Sequence, residues 1–281
     1  MKIGFVLEGG ASRTAFTCGV LDLFLDREFY LDYVIGASAG ICYGVSYSSR
    51  QRGRNRAIFE KYVDDPRYMG IKHLLGKGRC YYNLDFVFGE IPGKLLPYSW
   101  ADYEKYGSTG YAVLTNIETG RPEYLRITEK DEEWTALRAS CALPILFPPI
   151  FIDGKAYMDG GITDSIPFQK ALDDGCERVV VVLTRERGYI KKKESLAPLV
   201  KLLYPRYPAL AEALSRRHEM YGRQRKALSA LEKAGKALVI APDSTHGIKR
   251  TERRPSVLLP FYEEGYRTAE RSAEEIKSFL G

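Results

Sequence analysis

The sequence is poor in the residues that most often act as catalytic bases or form disulfides. It contains only three histidines, His73, His218 and His246. Its cysteines are odd in number, include no C-x-x-C pair, and are scattered at positions 18, 42, 80, 141 and 176. This pattern excludes a disulfide framework and favours a reduced, cytoplasmic setting in which the cysteines are small core residues. We predict no metal ligand set and no cofactor.

Long apolar segments are also missing. No run of about 18 apolar residues is present, so no transmembrane helix is predicted. The apolar run Ile3–Leu7 is too short for the core of a signal peptide, and it leads directly into Glu8. Internal repeats and low-complexity tracts are absent as well. With 281 residues, 45% of them hydrophobic, the sequence predicts a single globular domain over residues 1–281.

Positive charge is concentrated in one part of the chain. The net charge is +6, but residues 185–236 alone hold 14 Lys or Arg against 5 Glu. A second basic group follows the second predicted helix and consists of Arg50, Arg52, Arg54 and Arg56. Such stretches are commonly solvated helix faces. The alternative is transient association of a cytoplasmic protein with an anionic membrane surface, to which each basic residue contributes about 1 kcal/mol. No nucleic-acid partner is predicted, and the oligomeric state is left open.

Hydrophobic patterning predicts an α/β fold with a parallel sheet. Apolar runs indicate strands at residues 2–7, 33–35, 111–115, 123–127, 150–152, 156–158, 178–183 and 237–241. Helical periodicity indicates helices at 14–25, 38–49, 134–140 and 208–234 and a C-terminal helix ending near 280. We divide the domain into a core over about residues 3–185, a basic helical stretch over about 186–236, and a C-terminal strand and helix over about 237–280. Residues 50–108 are expected to form an aromatic, loop-rich excursion over one end of the sheet.

A serine in a glycine-bounded turn is the strongest candidate nucleophile. Gly36-Ala37-Ser38-Ala39-Gly40 follows a predicted strand and opens a predicted helix. A G-x-S-x-G turn of this kind exposes the serine hydroxyl, and its close strand–helix approach leaves no room for a Cβ at Gly36 and Gly40. The sequence therefore predicts that Ser38 is presented at the end of the sheet.

Two residue types could act as the base for Ser38. His246 lies in a predicted turn after a strand, where the histidine of an α/β-hydrolase would lie. That fold normally places several strands before its nucleophile, whereas only two are predicted here. Asp159, which follows Tyr157-Met158 and precedes Gly160-Gly161, could hold its carboxylate against the end of the sheet.

A glycine-rich loop follows the first strand and could bind an anion. The backbone N–H groups of Gly9-Gly10-Ala11-Ser12-Arg13 can converge on a negative charge. The loop fails as a dinucleotide-binding fingerprint because Ala11 and Thr14 replace the later glycines. It is adequate as an oxyanion hole.

These three motifs, in this order, resemble the patatin-like phospholipase family. Flanking residues match too, namely Gly19-Val20-Leu21, Ala139-Ser140, Pro144 and Pro167. The resemblance covers most of the chain and is closest to a small bacterial branch typified by YjjU-like proteins. It implies a three-layer fold with a central, mostly parallel sheet flanked by helices.

The resemblance also implies roles for individual residues. Ser38 would be the nucleophile and Asp159 the sole base of a Ser-Asp dyad. The oxyanion hole would be formed by Gly9, Gly10 and Ala11, and the supporting residues would be Arg13, Gly36, Gly40, Gly160 and Gly161. Arg13 would brace the loop or contact a phosphate. Alanine at position 11 departs from the family's glycine, and it would cost on the order of 1 kcal/mol if φ there is positive.

The sequence thus predicts a serine acyl hydrolase of the lipase, phospholipase A or esterase type. Burial would raise the pKa of Asp159 and improve its match to serine as a base. The expected substrate is a phospholipid or a related acyl ester, with the apolar Leu143–Ile150 segment and the aromatic excursion as a candidate acyl pocket. Two alternatives stay open: a Ser-His esterase using His246, and a catalytically impaired lipid-binding protein of the same fold.

Overall fold

A mostly parallel sheet of eight strands forms the centre of the computed structural model, which describes residues 1–76, 80–131 and 133–281. Five neighbouring strands in the order β3-β2-β1-β7-β8 run parallel, and β4, β5 and β6 extend the β3 side in antiparallel pairings. The strands are β1 (Ile3–Leu7), β2 (Tyr33–Ala37), β3 (Thr109–Asn116), β4 (Arg121–Arg126), β5 (Ile150–Ile152), β6 (Lys155–Asp159), β7 (Arg178–Val182) and β8 (Ala237–Ile240). The predicted α/β class is confirmed.

Helices cover both faces of this sheet. The α-helices are α1 (Ala15–Asp26), α2 (Ala39–Ser48), α3 (Arg54–Lys61), α4 (Ile71–Leu74), α5 (Trp100–Lys105), α6 (Thr135–Ser140), α7 (Phe168–Asp173), α8 (Ala197–Leu203), α9 (Pro208–Lys233), α10 (Pro255–Arg271) and α11 (Ala273–Leu280). A π-helical segment spans Phe86–Leu95, and short 3-10 turns span Ala11–Thr14 and Gly160–Ile162. None of the described helices combines the length and the apolar character needed to cross a membrane.

Alternating side chains on the buried strands produce the three layers. In β7, Val180 and Val182 pack into the core that contains α1 and α10, whereas Val179 and Val181 pack into the core that contains α7 and α9. A parallel strand covered by helices on both faces needs apolar residues at successive positions. The run of four valines is therefore explained by burial on both sides.

The C-terminal helix α10 packs against the first helix at unusually short range. A Cβ on Gly19 would overlap the carbonyl oxygen of Tyr262, and a Cβ on Gly265 would overlap that of Phe16. The Tyr262 hydroxyl donates a 2.6 Å hydrogen bond to the buried carboxylate of Asp22. Two glycines thus let the backbones of α1 and α10 touch, which joins the last part of the chain to the first.

Residues 50–108 differ most from the sequence prediction. This segment contains α3, α4, α5 and the π-helical Phe86–Leu95 instead of being mainly loop, although its residues 77–79 lie outside the described chain. Phe86 and Ile91 are buried, so tertiary packing stabilises a helical segment that contains two glycines and a proline. The prediction also missed α7 and α8, and the predicted C-terminal helix is two helices that meet at Ser272.

The basic group after α2 makes contacts within the fold, and two of its four arginines pair with carboxylates. Arg52 donates hydrogen bonds to Asp26, and Arg56 contacts both Glu60 and Glu263. Arg54 is itself buried, with 9% of its surface exposed. Because these arginines make intramolecular contacts, this group favours a structural role over attraction to a membrane surface.

Candidate active site

Ser38 lies at a strained turn between β2 and α2. Its φ of 53° and ψ of −136° are unusual for a residue with a side chain, and strained backbone of this kind is frequent at functional sites. A Cβ on Gly36 would lie 2.9 Å from the Leu7 carbonyl oxygen, and one on Gly40 would lie 2.6 Å from the same atom. The Ser38 N–H donates to the Ser140 hydroxyl oxygen at 2.8 Å. The flanking glycines and α6 together hold the turn against β1.

Asp159 ends β6 and is buried next to Ser38. Burial raises the pKa of its carboxyl above the ordinary value of 3.8. The nearby Arg217 charge and a 2.8 Å hydrogen bond from the Gly161 N–H act in the opposite direction. A Cβ on Gly160 would overlap the Val113 carbonyl oxygen, so the turn after Asp159 can approach β3 only with glycine. The carboxyl is thus buried, held by the Gly161 N–H, and part of the wall of a cavity that Ser38 also lines.

The glycine-rich loop after β1 borders the same space. A Cβ on Gly9 would lie 2.8 Å from the Ala37 carbonyl oxygen, and one on Gly10 would lie 2.6 Å from the Thr184 hydroxyl oxygen. Ala11 has a φ of 50°, the left-handed value for which glycine is favoured. Within the described chain, the N–H groups of Gly9, Gly10 and Ala11 donate no hydrogen bond to another residue. They are therefore available to an anion next to Ser38.

Two cavities of opposite character meet at Ser38. One is mainly apolar, and the other, called here the basic cavity, is lined by five basic side chains together with Glu8 and Asp159. Ala11, Ser38 and Leu143 belong to the walls of both. The apolar cavity is also lined by aromatic residues of the 50–108 segment and its surroundings, including Tyr43, Phe59, Tyr68, Tyr82, Phe88, Trp134 and Phe147.

The three histidines lie elsewhere. His246 stands in an exposed turn, where its Nε2 lies 2.7 Å from the Glu264 carboxylate. His73 contacts the Pro66 carbonyl oxygen, and His218 faces Glu219 at 4.0 Å. Of the residues that the structure describes, no histidine lines either cavity at Ser38. The predicted alternative in which His246 is the base for Ser38 is therefore wrong. The turn after β8 places His246 against Glu264 of α10, away from both cavities.

Several site residues were not recognised in the sequence. Arg217, on the long helix α9, donates a 2.6 Å hydrogen bond from its Nε to the Gly161 carbonyl oxygen. Burial lowers the pKa of its guanidinium. Arg250 reaches the glycine-rich loop through its backbone, since its carbonyl oxygen accepts hydrogen bonds from the N–H and the hydroxyl of Ser12. For Arg217 the available signal was the dense positive charge of residues 185–236, which the sequence analysis interprets as a solvated helix face or as a surface for anionic membranes.

The cysteines also behave less uniformly than predicted. Cys18 and Cys176 are buried, in keeping with small core residues. Cys42 and Cys141 are only partly buried and line the apolar cavity, with their sulfur atoms 3.2 Å apart. The Cys141 sulfur also lies 3.9 Å from the Ser38 hydroxyl oxygen. Two of the five thiols therefore belong to the surroundings of the candidate nucleophile.

Comparison with known proteins assigns two regions of the chain. The family model described as "Patatin-like phospholipase" matches residues 5–172, and one described as "Domain of unknown function (DUF6363)" matches residues 207–281. The chain is 28% identical over 189 residues to "Uncharacterized protein YjjU" of Escherichia coli, covering 65% of this chain and 52% of that protein. It is 27% identical over 178 residues to "Lysophospholipase nte1" of Aspergillus terreus, covering 61% of this chain and 11% of that protein.

One solved structure aligns with nearly the whole chain, but its structural and sequence similarity to the chain are low. The crystal structure of VipD from Legionella pneumophila aligns with a TM-score of 0.47 and 15% sequence identity, covering 99% of this chain and 66% of that one. The chain thus spans about half the length of the bacterial relative and about a tenth of the fungal one.

Proposed function

The chain belongs to the patatin-like phospholipase family, and from this premise we propose that it is a serine acyl hydrolase acting on phospholipids or related acyl esters. The observation that supports the proposal is that Ser38 and the buried Asp159 line the same cavity, which meets an apolar cavity at Ser38. Relatives described as lysophospholipases support the same substrate class.

In the proposed reaction, the Ser38 oxygen attacks the ester carbonyl while Asp159 accepts the serine proton. The N–H groups of Gly10 and Ala11 stabilise the oxyanion that forms, and one such donor contributes about 2.7–4 kcal/mol. Asp159 then protonates the departing alcohol. Water then attacks the acyl-enzyme while Asp159 accepts its proton, the bond between the acyl group and the Ser38 oxygen breaks to release the fatty acid, and Asp159 returns the proton to Ser38. The raised pKa of Asp159 makes it a stronger base than an exposed aspartate, and an ester demands less of its base than an amide.

Labelling by a fluorophosphonate tests whether Ser38 is activated. We expect covalent modification of Ser38, located by mass spectrometry of the digested protein, together with hydrolysis of a chromogenic fatty ester. A serine without a base and an oxyanion site does not react with this reagent. Ser38→Ala is the control and should remain unlabelled. An unlabelled wild-type protein that is folded would overturn the proposal.

A second candidate function is lipid binding without catalysis, and one observation favours it. Ala11 occupies a left-handed conformation that costs about 1–2 kcal/mol for a residue with a Cβ. If this strain displaces the N–H groups of the loop, the apolar cavity would still hold an acyl chain while Ser38 stays inert. An unreactive protein that becomes labelled on Ala11→Gly substitution would favour this second function.

An exposed apolar strip next to basic residues supports association with anionic membranes. Ile190 and the α8 residues Leu199, Leu202 and Leu203 are 41–84% exposed. Exposed lysines at positions 192, 193 and 201 lie in the same stretch. Leucines that enter the interface and lysines that attract anionic lipid would act together. A cytoplasmic location stays a prediction from the sequence.

Replacing Leu202 and Leu203 with serine should weaken binding to vesicles of phosphatidylcholine and phosphatidylglycerol, measured by sedimentation, by about 10²-fold or more, because each exposed leucine would contribute about 1.5–3 kcal/mol on entering the bilayer. Tyr30→Ser, at the opposite end of β2 from Ser38, is the matched control and should sediment like the wild type. Equal binding to vesicles with and without phosphatidylglycerol would exclude the electrostatic part of this proposal.

A further inference from the structure

The basic cavity at Ser38 is lined by several basic side chains. Five of them, Arg13, Arg185, Lys191, Arg217 and Arg250, share its wall with two acidic residues, Glu8 and Asp159. The side chains of Lys191 and Arg217 are only 7% and 12% exposed. Three members of the basic stretch 185–236 therefore face the interior of the protein instead of solvent.

The acidic residues nearby are too few to pair with these cations. Glu194 is shared among Lys191, Arg217 and Arg250, at 3.3, 3.2 and 3.7 Å. Glu8 is held by a 2.6 Å hydrogen bond from the Thr184 N–H and a 2.8 Å hydrogen bond from the Tyr221 hydroxyl. Even with Glu194 added to the cavity's own carboxylates, the cluster keeps an excess of two positive charges.

Arg13 shows that the cluster lacks an acceptor. Its side chain is 5% exposed, and its Nε has no hydrogen-bond partner in the described chain. Burial and the nearby charges of Arg185 and Arg250 lower its pKa to about 10. Burying a guanidinium among other cations is costly unless an anion joins them. The wall of this cavity is therefore suited to an anionic group.

We propose that the cavity is a subsite for a phosphate group of the substrate, built by Arg185, Lys191 and Arg250, and that the substrate is an acyl ester carrying a phosphomonoester. The inference rests on the proposed function, because the apolar cavity would take the acyl chain of the same molecule. Guanidinium groups bind phosphate oxygens in pairs, and a dianion would balance the excess of two charges. A zwitterionic head would place its ammonium among cations and is disfavoured.

The three proposed residues lie outside the segment matched by the phospholipase family model, which ends at residue 172. Arg250 lies within the segment 207–281, whose family model has no assigned function. The proposal thus assigns to the C-terminal region a contribution to substrate choice. The proposed phosphate subsite lies close to the candidate nucleophile, since Ser38 and Gly10 line the same cavity.

Two esters that differ only in the phosphate test the subsite. We expect the wild type to hydrolyse a 1-acyl-glycerol 3-phosphate with a higher kcat/KM than the monoacylglycerol with the same chain. The Arg185→Gln, Arg250→Gln double variant should lower this ratio by at least about 10–100-fold, the effect of losing a single charge-assisted hydrogen bond to the phosphate. Lys191→Gln is a second, single variant and should lower the ratio in the same direction. Arg253→Gln, an exposed basic residue in the same loop as Arg250, should leave the ratio unchanged.

The outcomes separate the subsite from the proposed function. Hydrolysis of both esters with a ratio that neither variant changes would overturn the subsite and leave the hydrolase intact. If the wild type cleaves neither ester, the hydrolase proposal fails. In that case, calorimetry with glycerol 3-phosphate decides about the subsite. Binding by the wild type that is lost in the double variant would support the subsite, and absence of binding to the wild type would overturn it. If inorganic phosphate binds but the two esters are hydrolysed equally well, the cavity is a site for free phosphate, and the substrate subsite is wrong.

Discussion

Replacing Asp159 with asparagine is expected to lower kcat/KM for an acyl ester by about 10²–10⁴-fold and, at neutral pH, to raise the free energy of unfolding. The loss of activity follows from removing the proposed base for Ser38. The gain in stability follows from burial, which raises the pKa of this carboxyl above 3.8 in the folded protein. Ionisation therefore costs more in the folded state than in the unfolded state.

The sign of the stability effect depends on pH. Well below pH 3.8 the carboxyl is protonated in both states, so Asp159→Asn should change the stability little. As the pH rises from 3.8 through the raised folded-state pKa, the unfavourable contribution of the carboxylate grows and then stays constant. Urea unfolding of both proteins at acidic and neutral pH measures this difference. The asparagine can still accept the 2.8 Å hydrogen bond from the Gly161 N–H, so the turn should be preserved.

Two further variants make the test specific. Ser38→Ala should abolish hydrolysis, because removal of a nucleophile in a serine hydrolase costs about 10⁶-fold. His246→Ala should retain wild-type activity, since that side chain is exposed and contacts Glu264. Full activity in Asp159→Asn, or loss of activity in His246→Ala, would contradict the proposed dyad.

The second large effect concerns stability and lies far along the chain from the active-site motifs. We expect Gly265→Ala to lower the free energy of unfolding by more than about 3 kcal/mol. The added Cβ would overlap the Phe16 carbonyl oxygen, and a backbone atom in a buried helix cannot move aside as a flexible side chain can. Chemical denaturation monitored by circular dichroism measures the change.

A second helical glycine provides the matched control. Gly222 lies in α9, is exposed, and has no described atom within 4 Å of an added Cβ. Gly222→Ala should therefore stabilise the protein by about 0.5–1 kcal/mol, as expected when alanine replaces glycine within an exposed helix. Similar effects of the two substitutions would show that α1 and α10 are not in close contact.

Local sequence was sufficient to predict the elements around Ser38. The strand, turn and helix over β2 and α2 follow from an apolar run and two glycines at fixed spacing, and these are properties of neighbouring residues. The same is true of the turn after Asp159. The valines of β7 likewise predicted a buried parallel strand, because a strand that is buried on both faces needs apolar residues at successive positions.

The basic cavity could not be predicted in the same way. Arg185, Arg217 and Arg250 come from three segments that the sheet and α9 bring together, and nothing in the spacing of these residues fixes that approach. A charged helix face has the same sequence pattern whether it meets solvent or a buried carbonyl group such as that of Gly161. The helices within residues 50–108 were missed for a related reason, since their stability comes from packing against the core.

The close packing of α1 against α10, which Gly19 and Gly265 permit, has a consequence for how the protein is made. Helix α1 can pack against α10 only after some 240 further residues have been synthesised. Strand β1 likewise can pair with β7 only after β7 has been synthesised. Contacts between such distant positions close large loops and form slowly. During translation the N-terminal region therefore stays without its native neighbours, with its apolar surface exposed to chaperones, until α10 leaves the ribosome.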